Sequence, residues 1–248
     1  MRLQGKTAIV TGGASGFGAG IARKFLSEGA HVMIADINGD AADEMAAQLG
    51  VGALSQQVDV SDRSSVQIMA DTALKEFGHL DILVNNAGVT HLPTPLEDVS
   101  EADFDRVFAV NMKSVYLTAR ALIPHMKSRA AGAVLNVAST AGLSPRPDLN
   151  WYNASKGWMI TATKTMAVEL APAGVRVNAI CPVAGETPLL KSFMGEDTPE
   201  IRARFLSTIP LGRFSTPEDM ANAACFLCSD EASMITGTAL EVDGGRCI

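Results

Sequence analysis

Basic charge, long apolar runs and aromatic residues are all scarce in this chain of 248 residues. Its 20 lysines and arginines stand against 27 aspartates and glutamates, and a net charge of -7 excludes a protein that holds nucleic acid by neutralising phosphates. No run approaches the roughly 20 apolar residues that cross a bilayer, and the first strand follows the N-terminus without a signal-peptide core. We therefore expect a cytoplasmic protein with neither a nucleic acid nor a membrane as partner.

Cysteine is scarce too, with four residues that are too scattered for a secreted disulfide framework. Cys225 and Cys228 form a C-x-x-C pair, but the surrounding stretch ANAACFLCSDEA is apolar and offers no second ligand pair. Packing in a core is favoured over zinc or redox chemistry, so we predict no metal site.

Short runs rich in valine and isoleucine alternate with longer stretches of helical character. The candidate strands are TAIVTG, HVMIADI, ALSQQVDV, LDILVNNAG, AVLNVAS, VRVNAICP and TALEVDGG. The candidate helices are 17–28, 39–49, 62–77, 101–129, 152–172 and 217–229. This alternation predicts an α/β fold with a seven-stranded parallel, doubly wound sheet and helices on both faces, in a single domain over residues 1–248.

The least regular stretch, 182–216, is rich in proline and glycine and follows the sixth candidate strand. Open α/β sheets bind ligands at the carboxyl ends of their strands. We therefore predict that 182–216 is a lid inserted over the substrate.

A glycine-rich turn, TGGASGFGAGIA, connects the first strand to the first helix. Gly12, Gly16 and Gly18 let the backbone approach a pyrophosphate, whose charge the N–H groups of the helix start attract. Asp36 ends the second strand, where a carboxylate can bond the adenosine ribose hydroxyls and repel a 2′-phosphate. Ser15 stands where a basic side chain could have paired with that phosphate. The pattern predicts a site that prefers NAD(H) to NADP(H), with ordinary turn chemistry as the alternative.

Further cofactor contacts are expected around the glycine turn and at the ends of the second, third and fourth strands. These residues are Phe17, Ile37, Asp59, Val60, Asn86, Ala87 and Gly88. Asp59 and Val60 are placed to touch the adenine ring, whereas the small residues 87 and 88 let the backbone pass close to the cofactor.

Tyr152 and Lys156 stand four positions apart in YNASK and so share one face of a helix. An adjacent ammonium lowers the pKa of a phenol, which predicts that Tyr152 exchanges a proton with an alcohol or carbonyl oxygen. Ser139 is expected to bond the same oxygen, Lys156 also to hold the nicotinamide ribose, and Asn111 to hold a water on the proton path. Taken singly, each residue could equally be a surface phenol, a solvated charge, a cap or a core amide.

Together these motifs resemble the short-chain dehydrogenase/reductase family over almost the whole chain. The resemblance rests on TGGASGFG, Asp36, DV at 59–60, NNAG at 85–88, Asn111, Ser139, YNASK and the terminal VDGG, in family order. It implies a Rossmann fold, NAD(P)-dependent interconversion of alcohols and carbonyls, and a catalytic tetrad of Asn111, Ser139, Tyr152 and Lys156. It also implies a homotetramer, to which the apolar residues Trp158, Ile160 and Met166 could contribute if they are not core residues.

The sixth strand ends in a departure from the family pattern, because Val183 stands after Pro182 where the family commonly has glycine. We expect Pro182 and Val183 to form a narrower wall beside the nicotinamide. Thr187 matches the family threonine that contacts the carboxamide, so cofactor binding is expected to persist.

The substrate pocket is expected to draw on 140–151 and on the 182–216 insert. Leu143, Asn150 and Trp151 could line a pocket for a small polar or cyclic alcohol. Arg146 could pair with a substrate carboxylate, although an exposed loop charge is the favoured interpretation.

We therefore predict an NAD-dependent oxidoreductase that interconverts a secondary alcohol and its ketone, similar to glucose 1-dehydrogenase-like members of the family. A 3-oxoacyl-acyl-carrier-protein reductase is an alternative, although Asp36 argues against the NADPH that such enzymes usually take. Lys127 and Arg129 offer a little positive charge near one helix end for carrier-protein docking, but surface charge of this kind is common and does not decide between the two. A non-catalytic NAD-binding sensor or scaffold is an alternative of another class, which loss of the tyrosine, lysine or serine would have indicated.

Overall fold

A seven-stranded parallel sheet runs through the computed structural model, which describes residues 1–248. The strands are β1 (Thr7–Thr11), β2 (His31–Asp36), β3 (Ala53–Gln57), β4 (Ile82–Asn85), β5 (Gly132–Val137), β6 (Val175–Pro182) and β7 (Ala239–Val242). Their order is β3-β2-β1-β4-β5-β6-β7, and every neighbouring pair is parallel. The predicted sheet is thereby confirmed.

Helices cover both faces of the sheet. They are α1 (Gly16–Ser27), α2 (Gly39–Leu49), α3 (Arg63–Phe77), α4 (Glu101–Phe108), α5 (Ser114–Arg129), α6 (Asn150–Leu170), α7 (Leu190–Met194), α8 (Pro199–Leu206) and α9 (Pro217–Cys228). All six predicted helical stretches are present, within two residues at their outer ends. Not one of these helices combines the length and the apolar character that a membrane crossing requires.

The five central strands are largely apolar because each one contributes to two cores, whereas the edge strands β3 and β7 are only partly buried. Along β1, Ala8 and Val10 pack into a cluster of 24 buried residues that includes side chains of α1, α2 and α9. Ile9, between them, packs into a cluster of 20 buried residues with α3, α5 and α6. Cys225 and Cys228 belong to the first cluster, as the core-packing prediction required. A strand buried on both faces loses the polar alternation of a half-exposed strand.

The predicted helix 101–129 is not uniform. Between α4 and α5 the backbone forms a π-helical turn at Ala109–Lys113, which contains Asn111. A π turn adds one residue without ending the helix, so the 3.6-residue apolar period does not reveal it. The prediction of one regular helix was wrong at this turn.

All the strands except β6 end one to three residues before the predicted runs do, and local hydrogen bonds explain this for β3 and β5. β3 ends at Gln57, because the carboxylate of Asp59 accepts hydrogen bonds from the N–H and hydroxyl of Ser61 and turns the chain. β5 ends at Val137, and the Ser139 hydroxyl accepts from the Ala141 N–H to cap a short 3₁₀ turn.

The stretch 182–216 begins at the end of β6, as predicted, but it is more ordered than its composition suggested. It contains α7 and α8, the second capped by Thr198, whose side chain accepts from the Ile201 N–H, with Pro199 at the first helical position. A separate small apolar cluster holds it together, formed by Val183, Leu190, Met194, Ile209 and Phe214.

Helices α1 and α9 approach each other closely where Gly20 faces Pro217. A β-carbon added to Gly20 would lie 2.7 Å from both the Cβ and the carbonyl oxygen of Pro217. The backbone carbonyl cannot move away cheaply, so a glycine is required at this contact.

We predict that Gly20→Ala lowers the free energy of unfolding by about 1–3 kcal/mol, the usual cost of overpacking, although alanine is the better helix former. Gly157→Ala in α6 is the matched control, since its added carbon would meet only the Gly142 oxygen at 3.7 Å. Urea unfolding followed by circular dichroism measures both variants. A midpoint for Gly20→Ala equal to that of the wild type would contradict the packing described here.

Candidate active site

A cavity of about 450 Å³ opens at the carboxyl edge of the sheet, where the strand order reverses between β1 and β4. Such a reversal leaves a crevice between loops that turn to opposite faces. The predicted cofactor residues that line this cavity are Gly12, Ser15, Gly16, Phe17, Asp36, Ile37, Asp59, Val60, Asn86, Ala87, Gly88, Tyr152, Lys156, Pro182, Val183 and Thr187. Gly18 alone among them does not line it. An added carbon at Gly18 would lie 2.0 Å from the Gly12 oxygen, so this glycine allows α1 to pack on the turn.

The glycine turn presents free backbone donors to the cavity. Gly12 and Gly16 have φ angles of 61° and 52°, which favour glycine. The first turn of α1 contains no acidic residue, and the Ser15 side chain does not cap it. The N–H groups of Gly16, Phe17 and Gly18 donate to no protein group. This helix start is therefore suited to a pyrophosphate, which would satisfy those donors.

Asp36 is held rigidly at the end of β2. Its two carboxylate oxygens accept one backbone N–H each, from Ala14 and Asn38, both at 3.1 Å. The carboxylate thus links the glycine turn to the start of α2 while lining the cavity.

Hydrogen bonds between Asn86 and Thr11 join the ends of β4 and β1. Asn86 was predicted as a cofactor contact, but Thr11 was not singled out. The Asn86 amide donates to the carbonyls of Thr11 and Gly12 at 2.9 and 3.0 Å. The Thr11 hydroxyl accepts from the N–H groups of Asn86 and Ala87. The threonine of the TGG motif, adjacent to the first glycine, was the available signal for this role.

Tyr152 and Lys156 lie together in the first turns of α6, and both are about 5% exposed or less. The Lys156 ammonium donates to the Val137 carbonyl at 2.8 Å, and its Nζ lies 5.8 Å from the centre of the Tyr152 ring. An added carbon at Gly88 would meet the Lys156 Nζ at 3.4 Å, so Gly88 is in close contact with the lysine.

The pKa values of this pair move in opposite directions. Burial raises the pKa of Tyr152 to about 12, against a smaller lowering by the Ser139 hydroxyl. Burial also lowers the pKa of Lys156 to about 8. The expected lowering of the tyrosine pKa by the lysine is therefore wrong for this protein without ligands, because loss of hydration dominates and the ammonium bonds a carbonyl instead.

Ser139 and Asn111 occupy different layers of the site. Ser139 lines the cavity, and its hydroxyl donates to the Pro182 carbonyl at 3.5 Å. Asn111 is fully buried and does not line the cavity. Its amide exchanges two hydrogen bonds with the backbone of Val89 and donates to the Ser155 hydroxyl at 3.0 Å. The structure thus gives Asn111 bonds that position the β4 loop on α6, and Ser155 was missed from the sequence.

A buried chain of polar side chains, also missed, fixes α5 and α6 against the sheet. The Thr118 hydroxyl donates to Asn85, the Asn85 amide to Asn136, and the Asn136 amide to the Thr163 hydroxyl, all at 2.8–2.9 Å. Because each amide and hydroxyl group in this chain has a hydrogen-bond partner, burying them costs little stability and fixes how the helices pack on the sheet.

The wall formed by the 182–216 insert lies over the glycine turn. An added carbon at Gly16 would meet the Thr187 side chain at 3.2 Å, and one at Gly185 would lie 2.3 Å from the Phe17 ring. Glycine at 185 therefore makes room for Phe17, while Val183 lines the cavity and packs into the apolar cluster of the insert.

The substrate side of the cavity draws on both predicted segments, 140–151 and 182–216, but not through the three residues named for it. Leu143, Asn150 and Trp151 do not line it, and the Trp151 ring instead stacks edge-on against Phe104 at 5.3 Å. Residues that the sequence analysis did not select line it instead: Ser144, Leu149, Asn153, Leu189, Phe193 and Phe205.

Arg146 is not the exposed loop charge that was favoured. It is half-buried, lines the cavity, and stacks over the Phe205 ring with its guanidinium carbon 4.3 Å from the ring centre. Burial lowers the pKa of Arg146 to about 10, and the positive charge of Arg246 adds to this.

Comparison with known proteins agrees with this geometry. A family model described as enoyl-(acyl carrier protein) reductase matches residues 12–246. The chain is 51% identical over 252 residues to 4-formylbenzenesulfonate dehydrogenase TsaC1/TsaC2 of Comamonas testosteroni, and the match covers 100% of each chain.

Two solved structures superpose closely. One is the 3-ketoacyl-(acyl-carrier-protein) reductase of Brucella melitensis complexed with NADH, with a TM-score of 0.95, 50% identity, and coverage of 99% of this chain and 100% of that one. The other is NAD⁺-bound xylitol dehydrogenase, with a TM-score of 0.92, 29% identity, and coverage of 99% and 100%. The fold, the site and these likenesses together show that the chain belongs to the short-chain dehydrogenase/reductase family, nicotinamide-dependent oxidoreductases that act on CH–OH groups.

Proposed function

We propose that this enzyme interconverts a secondary alcohol and its ketone with NAD as the preferred cofactor and Tyr152 as the proton-exchanging group. The proposal rests on one cavity that has two chemically different parts. Its first part holds the free donors of the glycine turn and the carboxylate of Asp36, and its second part holds Ser139, Tyr152 and Lys156.

The first part of the cavity suits the dinucleotide. The N–H groups at the start of α1 would hold the pyrophosphate, and Asp36 would accept from the adenosine ribose hydroxyls. Lys156 would hold the second ribose, and Pro182, Val183 and Thr187 would border the nicotinamide. When bound, the nicotinamide ring supplies the carbon that accepts or returns a hydride. Because a carboxylate at residue 36 would repel a 2′-phosphate, NAD is preferred over NADP.

The second part handles the proton. With a pKa near 12, Tyr152 is a neutral phenol at pH 7 and can donate its proton to a carbonyl oxygen during reduction. Ser139 holds that oxygen by a hydrogen bond. In the direction of oxidation, Tyr152 first releases its own proton toward solvent. The resulting phenolate, which the Lys156 ammonium stabilises once a ligand fills the cavity, then accepts the hydroxyl proton of the alcohol. Asn111 positions the β4 loop beside Lys156 and lies on the route by which a proton reaches solvent.

The 182–216 insert acts as a lid in this proposal. Its helices carry Phe193 and Phe205 into the cavity wall, and Thr187 borders the glycine turn. Because the insert has its own apolar cluster, it can move as a unit about its connections to β6 and α9.

A homotetramer and a cytoplasmic location belong to the same proposal. Phe104, Phe108 and Trp158 on α4 and α6 are 41%, 46% and 37% exposed, which suits burial in an interface between copies of the chain. Ile160, by contrast, is 6% exposed and serves the core of its own chain.

A second candidate is reduction of 3-oxoacyl groups on acyl carrier protein, favoured by the likeness to the reductase of Brucella melitensis. The charge available for docking an acidic carrier is small. Arg129 is ion-paired with Asp81 at 3.0 Å, which leaves Lys127 as the exposed cation at that end of α5.

Tyr152→Phe is expected to lower turnover of secondary alcohols about 10²- to 10⁴-fold, the usual contribution of general acid–base catalysis, while NADH binding is retained. NADH fluorescence measures both quantities. Tyr116→Phe, at the chain's other tyrosine, removes an exposed hydroxyl on α5 and should leave turnover unchanged. Full turnover by Tyr152→Phe would remove the proposed mechanism.

Asp36→Asn is expected to raise the kcat/KM ratio of NADP⁺ to NAD⁺ by about tenfold or more, because a like-charge repulsion worth roughly 1.4 kcal/mol or more is lost. Asp40→Asn, four residues away and exposed, removes the same charge outside the cavity and should leave the ratio unchanged. A wild-type preference for NADP⁺, or an unchanged ratio in Asp36→Asn, would show that Asp36 does not select the cofactor.

A further inference from the structure

Arg146 brings a positive charge into the part of the cavity that faces the substrate. Among all the residues that line the cavity, four have acidic or basic side chains: Asp36, Asp59, Arg146 and Lys156. Asp36 ends β2 and Asp59 lies two residues after β3, so both carboxylates are in the cofactor part of the cavity. Lys156 donates to the Val137 carbonyl and is buried against Tyr152. Arg146 is therefore the cation available to a group of the substrate that is remote from the reacting carbon.

Two aromatic rings lie near Tyr152 and Arg146 on the substrate side of the cavity. Phe193 packs edge-on against the Tyr152 ring with centres 5.0 Å apart, and Phe205 lies under the Arg146 guanidinium. Leu149, which stands between Arg146 and Tyr152 in sequence and is 6% exposed, also lines the cavity, as do the polar side chains of Ser144 and Asn153. The aromatic rings favour a substrate that carries a ring or a short hydrocarbon spacer.

The guanidinium of Arg146 has few partners in the protein. It donates one hydrogen bond, from Nη2 to the Thr208 hydroxyl at 3.3 Å, whereas a guanidinium carries five N–H donors. It forms no ion pair. Arg202 and Arg213 of the 182–216 insert, by contrast, are paired with Asp197 and Asp219. Arg146 is the one arginine among the residues that line the cavity, and its guanidinium has no carboxylate partner.

A second unpaired guanidinium lies behind the first. Arg246 donates from Nη1 to the hydroxyl of Ser144, a cavity-lining residue, at 3.1 Å, and its buried Nε has no partner. The nearby carboxylate of Asp243 accepts instead from the N–H groups of Gly245 and Cys247. The positive charge of Arg246 acts unfavourably on the Arg146 guanidinium, and an anionic group of the substrate bound at Arg146 would offset that repulsion.

We propose that the substrate carries a carboxylate or sulfonate, which Arg146 binds, joined to the reacting carbon through a ring or similar apolar spacer. Arg246 is a positioning residue in this proposal, since it holds the 140–149 loop through Ser144 and adds its positive charge to the site. The inference rests on the proposed function, because it concerns the remote end of the same substrate.

Matched probes that differ only in the remote group test the inference. The alcohols are 4-(1-hydroxyethyl)benzoate, 4-(1-hydroxyethyl)benzenesulfonate and the neutral 4-(1-hydroxyethyl)benzamide, each assayed with NAD⁺. The wild type should prefer at least one anion over the amide by roughly 10- to 100-fold in kcat/KM, the range of a hydrogen-bonded charge pair. The preferred anion distinguishes a carboxylate site from a sulfonate site.

Arg146→Gln should abolish the preference mainly through a higher KM for the anions, because the lost interaction is equal in the ground and transition states. Arg146→Lys should keep part of the preference. Arg204→Gln, which removes an exposed charge from α8 outside the cavity, should keep all of it. Equal kcat/KM for anions and amide in the wild type, or a preference that survives in Arg146→Gln, would overturn the inference.

A binding measurement separates this inference from the proposed function. The ketones 4-acetylbenzoate, 4-acetylbenzenesulfonate and 4-acetylbenzamide cannot react in the presence of NAD⁺, so their thermal stabilisation of the NAD⁺-loaded protein reports binding alone. Greater stabilisation by an anion in the wild type, lost in Arg146→Gln, supports the anion site even without turnover. Equal stabilisation by all three ketones contradicts it, whereas failure to bind NAD⁺ at all contradicts the proposed function.

Discussion

The hydrogen bond from the Lys156 ammonium to the Val137 carbonyl joins helix α6 to the end of β5, and the rest of the site is arranged around it. A lysine that is 4% exposed has lost most of its hydration, which is costly unless its donors find acceptors. The carbonyl at a strand end provides one acceptor without introducing a second charge. The ammonium therefore stays close to Tyr152, and a hydroxyl group of a ligand can accept one of its remaining N–H groups.

The surrounding frame makes this position rigid. The chain of hydrogen bonds from Thr118 through Asn85 and Asn136 to Thr163 links α5, β4, β5 and α6 below the cavity. The π turn at Ala109–Lys113 presents Asn111 to Val89 and Ser155, which fixes the loop after β4 against α6. The insert that covers the other side has a separate apolar cluster. The insert also contacts this frame directly, through Phe193 on the Tyr152 ring and Phe205 under Arg146.

Much of this could be predicted from the sequence. Strands buried on both faces are continuous apolar runs, so the sheet and its helices were visible, and Asp36 ends β2 as its spacing from the glycine turn required. Three kinds of feature could not be read. The π turn leaves no periodic signal. The polar chain joins residues far apart in sequence, none of which is distinctive alone. In the sequence, Arg146 resembles any loop arginine. Only the fold shows that Phe205 of α8 lies beneath its guanidinium and that the positive charge of Arg246, which follows β7, acts on it. The sign of the Tyr152 pKa shift was also missed, because the helical spacing shows which charges are near but not how completely water is excluded.

Lys156 is an ammonium taken out of water beside Tyr152, and its own titration can be measured. Lysine labelled with ¹³C at Cε can be titrated by NMR in the protein without ligands, and the resonance absent from Lys156→Met identifies the residue. We expect this signal to titrate near pH 8, below the ordinary lysine value of 10.5. A midpoint at or above 10.5 would mean that Lys156 is solvated or paired with a carboxylate, and would contradict the site described here.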